Sequence, residues 1–434
     1  MNLTPEQQAV KDKSAEGRKE MLAVFTAALV AVMRLYREAV DDIGQMLSSA
    51  AGMTPATGAA LGADSASSGA WVGTTGAAAA GAGSGAASAA GAGVWAGSAE
   101  AAAVIAPGTA SAGAWTGAAA LPGTSSAAVA AAGAIRTSAM PQLMQQIQSR
   151  LNNLAAARNA ALASGVDKAA EIGVRPFIGR VSNAQLAAMR VEAVQSVWSH
   201  VGPDKLKLSD RIWRIDRHAN EIVRGAVQNA IVRGDGAAQA ARDFLAQGVK
   251  PPPELALAQE AGKVDSIKKS VSQGLLTGKG APVDNATRVM RTELNRAHAF
   301  AYQSSAAADT DSIGTKFMLS PRHPRVDICD FHARANLHGL GPGVYPHGRS
   351  PLPAHPNTLS FEVIVYADEV TATDRKGKQT PTEFLATVAS KDRAGILGAN
   401  KNEAFEAGKL RATQIRSRWR DVKRRIDRQN ELKP

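Results

Sequence analysis

Residues 51–135 limit what this chain can fold into, because they contain no Lys or Arg. Asp64 and Glu100 are the only charged residues there, and Ala, Gly, Ser and Thr dominate. A segment of this composition cannot bury enough apolar surface to offset the conformational entropy that it loses on ordering. The sequence therefore predicts a long Ala/Gly-rich low-complexity insertion near the N-terminus, with the ordered parts of the protein on either side of it.

Three G-x-W-x-G units interrupt this segment and are centred on Trp71, Trp95 and Trp115. Their spacing is uneven and the sequence between them is almost pure Ala and Gly, which argues against a solenoid with a buried core. Two interpretations stay open. The tryptophans either remain partly exposed or dock on a neighbouring subunit, or the uncharged segment meets a membrane interface, where Trp is favoured.

Outside the insertion, apolar residues recur at helical spacing, so we expect a mainly α-helical protein with a small α+β module. Thr4-Pro5-Glu6 is a typical helix start. Gly234-Asp-Gly236 is expected to end one later helix, and Asp284 to cap another over 285–305. The predicted parts are an N-terminal helix (1–50), the insertion (51–135), a helical domain (136–248), a connector with one or two short helices (249–283), an α+β module (284–370), and a linker with a basic C-terminal helix (371–434).

The C-terminal segment carries more than half of the chain's net charge of +12. Between Lys409 and Lys433, ten Lys or Arg face three acidic residues, which gives 10 − 3 = +7. Such a tail suits a polyanion, either the phosphates of double-stranded DNA bound without sequence preference or an acidic protein surface. The candidate DNA-binding residues are Arg416, Arg418, Arg420, Lys423, Arg424, Arg425 and Arg428. The apolar residues Ile415, Trp419, Val422 and Ile426 are spaced as a helical stripe that needs a protein partner.

A Gly/Pro-rich loop between two predicted strands, Phe317 to Leu319 and Phe361 to Tyr366, holds most of the histidines and the single cysteine. Cys329-x-x-His332 has the spacing of metal ligands, and two further histidines could complete a tetrahedral structural zinc site. The candidate ligands are Cys329, His332, His347 and His355. The alternative is that Asp327, Asp330 and the histidines cap turns and hydrogen-bond one another without a metal. The lone cysteine also excludes an intrachain disulfide and fits a reducing compartment.

Several motifs occur in a fixed order: Arg291-Thr292-Glu293, SPRHPRVDICDFH at 320–332, GLGPGVYP at 339–346 and PAHPNTLSF at 353–361. Over roughly 200–366 the chain resembles the phage head morphogenesis family, the minor head proteins also called Mu protein F-like. In that family, a helix with an R-T-E triplet precedes a module that closes with P-x-H-P-x-C-x-C. Thr358 and Ser360 stand here in place of the two closing cysteines.

The resemblance implies a virion component of the capsid interior that is assembled in the bacterial cytoplasm and joins the head near the portal. Its implied partners are portal, capsid or scaffold proteins and packaged DNA, and it implies no catalytic reaction. The broad apolar face of the N-terminal helix belongs either to an ordinary bundle helix or to a contact with further copies of the chain. Two alternatives come from the residues: a metal-dependent nuclease centred on 323–355, and a DNA-ejection protein whose Trp-containing insertion meets the host membrane. The loop offers no G-x-S-x-G, P-loop or H-E-x-x-H motif that would support an enzyme.

The triplet helix carries three polar residues of interest, Arg291, Glu293 and Asn295. Arg291 and Asn295 are four residues apart and share a face, whereas Glu293 lies on another face, so Arg291 and Glu293 do not pair within the helix. We expect Arg291 and Glu293 each to pair with the β part of the module, which is a structural role.

Overall fold

The described chain is mainly helical with one small antiparallel sheet, as the sequence predicts. The computed structural model describes residues 3–52, 135–202, 204–321 and 323–431. Apart from its ends, the predicted insertion at 51–135 lies outside these residues, and so do its three tryptophans.

The first helix, α1 (Pro5–Ala50), begins where the sequence predicts. The Thr4 hydroxyl accepts a hydrogen bond from the Gln7 amide at 3.2 Å, and the Gln7 side chain accepts one from the Thr4 amide at 3.0 Å. These two bonds satisfy amides that have no partner within the helix. None of the helices in the described ranges combines the length and the apolar character that a membrane span requires.

Six further helices pack with α1 into a bundle: α2 (Met140–Val174), α3 (Asn183–Ser199), α4 (Leu208–Ala246), α5 (Pro253–Ala261), α6 (Val264–Leu276) and α7 (Pro282–Ala308). Their apolar faces form one continuous core in which Val32, Ile172, Val223, Ile267 and Leu294 have almost no exposed surface. The connector expected at 249–283 contains the two short helices α5 and α6. Since α6 contributes to the main core, it is part of the bundle as well as a connection.

Two predicted helix boundaries are wrong. Gly234 does not end a helix, because α4 continues through it and packs against Gly262 so closely that a Cβ at Gly234 would lie 2.8 Å from the Gly262 Cα. This glycine serves a close contact between helices rather than a turn. Asp284 is not the N-cap of α7, which begins at Pro282; its carboxylate accepts a hydrogen bond from the Gly280 amide at 2.8 Å.

Three strands follow the bundle: β1 (Ser312–Met318), β2 (Val344–Pro346) and β3 (Phe361–Tyr366). They pair antiparallel in the order β2-β1-β3, with Thr315 opposite both Tyr345 and Ile364. The short strand β2 was not predicted, and neither was α8 (Ile328–Arg334), which lies with β2 in the long loop between β1 and β3.

Four short helices lie where a linker was expected: α9 (Ala372–Lys376), α10 (Pro381–Thr387), α11 (Ser390–Leu397) and α12 (Ala399–Glu406). The predicted basic C-terminal helix follows them as α13 (Trp419–Glu431). Helices α8 and α10 to α13 enclose a second apolar cluster that includes Phe331, Leu385 and Val422. Ile415 is buried in this cluster but precedes α13, so the predicted stripe is only partly helical. The partner that this stripe requires is supplied by the chain itself.

Candidate functional site

Arg291 and Thr292 of α7 hold the loop that leads into β3. The Arg291 guanidinium donates to the side-chain oxygen of Asn357, and the Thr292 hydroxyl accepts a hydrogen bond from the Asn357 amide at 2.9 Å. Asn357 has a φ of 69°, a left-handed conformation that asparagine tolerates better than most residues. Burial lowers the pKa of Arg291. The expected contact between Arg291 and the β part of the module is therefore present.

Asn295 holds the part of the same loop that directly precedes β3. Its side-chain amide donates to the Thr358 carbonyl at 3.1 Å and to the Ser360 carbonyl at 3.3 Å. All three residues are buried. Buried carbonyls need a hydrogen-bond donor from the protein when water cannot reach them. The Asn295 side chain supplies this donor to both carbonyls.

Glu293 does not contact the sheet, contrary to our expectation. Its carboxylate lies 3.2 Å from the Arg211 guanidinium on α4 and 2.8 Å from Arg296 on its own helix. Glu293 is only 2% exposed, so its contacts with the two guanidinium groups are shielded from water. These contacts hold Arg211 and Arg296 at the floor of the cleft described below.

The single thiol lies among hydroxyl groups. Cys329 Sγ is 3.5 Å from Thr358 Oγ1, and the Ser360 hydroxyl also hydrogen-bonds it. These are the two positions at which the resembling family has cysteines. Burial raises the pKa of Cys329 to about 11, so the thiol is protonated at neutral pH.

Two of the four predicted zinc ligands come together. One ligand atom each from Asp327, Cys329 and His355 lies within 4.8 Å of the others. His332 Nδ1 is instead 2.8 Å from the Tyr345 hydroxyl, and His347 Nε2 donates to the Ser312 carbonyl at 3.0 Å. A structural zinc site needs four protein ligands, so this set of three falls one short of the predicted closed site.

The aspartates beside Cys329 already have structural partners. Asp327 accepts a hydrogen bond from the Cys329 amide at 2.7 Å. Asp330 accepts one from the Asp327 amide at 2.9 Å, which is part of a capping box at the start of α8. His323 Nε2 lies 2.8 Å from Asp330, and His355 Nε2 lies 3.2 Å from Asp327. These contacts are of the kind expected if Asp327, Asp330 and the histidines cap turns and hydrogen-bond one another.

A cleft of about 860 Å³ opens where α4, α7, residues 350–356 and residues 416–418 converge. Its six arginines and two acidic residues give 6 − 2 = +4 with the histidines neutral. The charged lining residues are Arg211, Arg214, Arg288, Arg296, Arg416, Arg418, Asp204 and Glu293. The four arginines on α4 and α7 were not predicted as site residues, because nothing in the local sequence shows that these two helix segments meet. They are Arg211, Arg214, Arg288 and Arg296.

The seven predicted DNA-binding residues separate into three groups. Arg416 and Arg418 line the cleft. Arg425 is partly buried and donates to the Lys409 carbonyl and the Gln429 side chain, so it stabilises the turn before α13. The exposed residues of α13 are Arg420, Lys423, Arg424 and Arg428.

Comparison with known proteins adds no assignment, since no protein-family model, curated protein or solved structure matches the chain.

Proposed function

We propose that the protein is a phage minor head protein, located in the capsid interior, that joins the head near the portal and contacts double-stranded DNA without reading its sequence. The motif order around the triplet helix supports the family, and the basic surface supports the DNA contact. Portal, capsid or scaffold proteins and further copies of the chain are the proposed protein partners.

The arrangement of α13 carries the DNA contact. Val422 is buried in the second apolar cluster, which fixes the helix to the rest of the protein. On the other side, the Arg420 side chain is 73% exposed and the Lys423 side chain is 59% exposed. A fixed helix with exposed cations contacts phosphates at little cost in ordering, and phosphate contacts carry no sequence information.

Changing the four exposed basic residues of α13 to Gln tests this contact, whereas deleting the segment does not, because Ile415 and Val422 belong to a buried cluster. The slope of log affinity for duplex DNA against log salt should become shallower by about 3 units. A control that changes Arg34, Arg217, Arg224 and Arg233 to Gln removes the same charge from other exposed positions. Equal slopes in the two variants would contradict the proposal.

The place in the virion is tested by quantitative mass spectrometry of particles before and after triggered DNA release. A few copies retained in emptied heads support a portal-proximal component. Loss with the genome would favour the DNA-ejection alternative, whose membrane-contacting segment, 51–135, lies almost entirely outside the described residues and is tested by liposome binding. Absence from particles would overturn the assignment.

A metal-dependent nuclease is the second candidate, because ligand atoms of His323, Asp327 and Asp330 also converge within 4.8 Å. Cleavage of duplex DNA that requires a divalent ion and is lost in Asp330→Asn, with the circular dichroism spectrum unchanged, would favour it. Intact DNA under the same conditions removes the nuclease from consideration and leaves the structural proposal in place.

A further inference from the structure

The arginine-lined cleft has the size of a small-molecule site rather than of a duplex-binding surface. Its volume of about 860 Å³ lies within the range of about 300–1,000 Å³ that is typical of ligand pockets. The basic face of α13, in contrast, belongs to a single helix, on which the Arg420 and Lys423 side chains are more than half exposed. The two basic regions therefore fit ligands of different shape.

Three guanidinium groups at the cleft have no carboxylate partner among the described residues: those of Arg214, Arg288 and Arg416. Arg214 and Arg288 are exposed, and Arg416 donates only to the Ala354 carbonyl, at 3.4 Å. Planar guanidinium groups bind phosphate oxygens through paired hydrogen bonds. Three unpaired ones around one cavity form a site for a phosphate-bearing ligand.

The floor of the cleft is preorganised. Arg211 and Arg296 are both held by buried Glu293, and Asp204 lies 2.9 Å from Arg211. Burial, together with the positive charges of Arg296 and Arg211, lowers the pKa of His200 at the same edge, so this imidazole is neutral at pH 7. The fixed floor leaves the three unpaired arginines as the groups that gain a partner when an anion enters.

One wall of the cleft is apolar. Val289 of α7 faces the cavity, together with Leu352 and Pro353 of the loop that the triplet helix holds in place. An apolar surface beside a cluster of cations suits a ligand that has both a flat apolar part and a phosphate. A nucleotide has both, whereas inorganic phosphate has no apolar part and an unmodified acidic peptide has no phosphate.

We infer that the cleft binds one to three nucleotides of a single DNA strand, with phosphates on Arg214, Arg288 and Arg416 and a base against the Leu352 side. The choice of DNA rests on the proposed function. A free nucleotide has the same phosphate and base as a nucleotide of a DNA strand. The experiment below therefore distinguishes a DNA strand from free nucleotides.

Fluorescence anisotropy with a labelled, 5′-phosphorylated deoxytrinucleotide tests the inference on the full chain. Changing Arg214 and Arg288 to Gln should weaken binding by about tenfold or more, because each lost hydrogen bond to a charged group has an effect of this order. The matched control changes Arg217 and Arg224, which are exposed on the same helix as Arg214 but do not line the cleft. The control should stay within about twofold of the wild type, since only distant charge is removed.

Competition identifies the source of the ligand. A trinucleotide that binds more tightly than a deoxynucleoside monophosphate supports a DNA strand, and equal affinities would move the ligand to free nucleotides and overturn the strand assignment. Inorganic phosphate competing as well as the trinucleotide would overturn the nucleotide inference, and so would equal losses in the cleft and control variants.

The α13 variant separates this inference from the proposed function. It should lose duplex affinity but bind the trinucleotide like the wild type. Trinucleotide binding without any duplex contact by α13 would refute the proposed duplex contact and leave the cleft intact. Duplex binding through α13 without trinucleotide binding would refute the nucleotide site in the cleft and leave the proposed duplex contact in place.

Discussion

The helical bundle (α1 to α7) and the sheet module, which comprises the three strands and the loops between them (312–366), fill their interiors differently. The bundle has one continuous apolar core, and Arg158, paired with Asp216 at 2.6 Å, is one of its few buried polar residues. Most of the buried polar residues lie between Thr292 and Asn402, and four of them are on α7. Those of the sheet module are Thr315, Asp330, His332, Asn336, Thr358, Ser360 and Glu362. Apolar burial is non-directional, whereas hydrogen bonds require defined partners. Substitutions that remove side-chain volume should therefore destabilise the bundle most. Substitutions that remove a hydrogen-bond partner should destabilise the module most.

Replacing the hydroxyls around Cys329 by thiols tests the module most strongly. Thr358→Cys with Ser360→Cys would place three sulfur ligands together, with His355 and Asp327 nearby, and create the zinc site that the wild-type residues leave incomplete. With zinc at about a thousand times its Kd, the variant should gain about 4 kcal/mol in free energy of unfolding. Chemical denaturation with and without a chelator measures this gain, and the same variant with Cys329→Ser is the control. No response to zinc would show that the thiols do not converge.

Leu294→Ala tests the bundle. Leu294 has no exposed surface and packs against Gly165, so its truncation should cost about 2–5 kcal/mol through lost transfer energy and a cavity. Urea denaturation measures the loss. A cost below about 1 kcal/mol would mean that the bundle core closes around the cavity. It would contradict the expectation that the bundle is sensitive to lost side-chain volume.

Asn295→Ala changes the residue next to Leu294, but it should destabilise the loop before β3 rather than the bundle core. It removes the donor of two buried carbonyls, and we expect a cost of about 2–3 kcal/mol. Hydrogen exchange should show lost protection around 356–361 and retained protection in α1 and α2. The reverse distribution would contradict a local role for Asn295.

Glu362→Gln tests the buried carboxyl of β3, which accepts a hydrogen bond from the Ser350 hydroxyl. Burial raises its pKa from 4.5 to about 8, so between these values the folded state binds more protons than the unfolded state. Its contribution to stability is therefore present below about pH 4.5 and is lost as the pH rises through 8. At pH 8 the variant should be more stable than the wild type by up to about 4 kcal/mol, with little difference at pH 4. Parallel pH profiles of the two proteins would refute the shift.

Two glycines of α4 give the smallest expected effects. Gly234→Ala should cost about 1–3 kcal/mol because its methyl group would meet the Gly262 backbone. Gly236→Ala meets nothing within 4 Å and should stabilise the helix by about 0.5–1 kcal/mol. Thermal unfolding of both variants should therefore show shifts of opposite sign.

The bundle was more predictable than the module for the same physical reason. Periodic apolar residues and the Thr4-Pro5 start revealed α1, since both signals are local. Val344 to Pro346 carries no strand pattern, and its pairing depends on β1, which is distant in sequence. Arg291 and Asn295 were recognised as structural residues, but their partners at Asn357, Thr358 and Ser360 could be found only in three dimensions.

The cleft joins chain segments that begin near His200 and end at Arg418. Contacts between residues so far apart in sequence form slowly, because long chain loops must close before the contacts contribute any stability. Helix formation in α1 and α2 needs only local contacts. During refolding, the recovery of helical structure and the recovery of ligand binding are therefore separate events, and the second marks completion of the native topology.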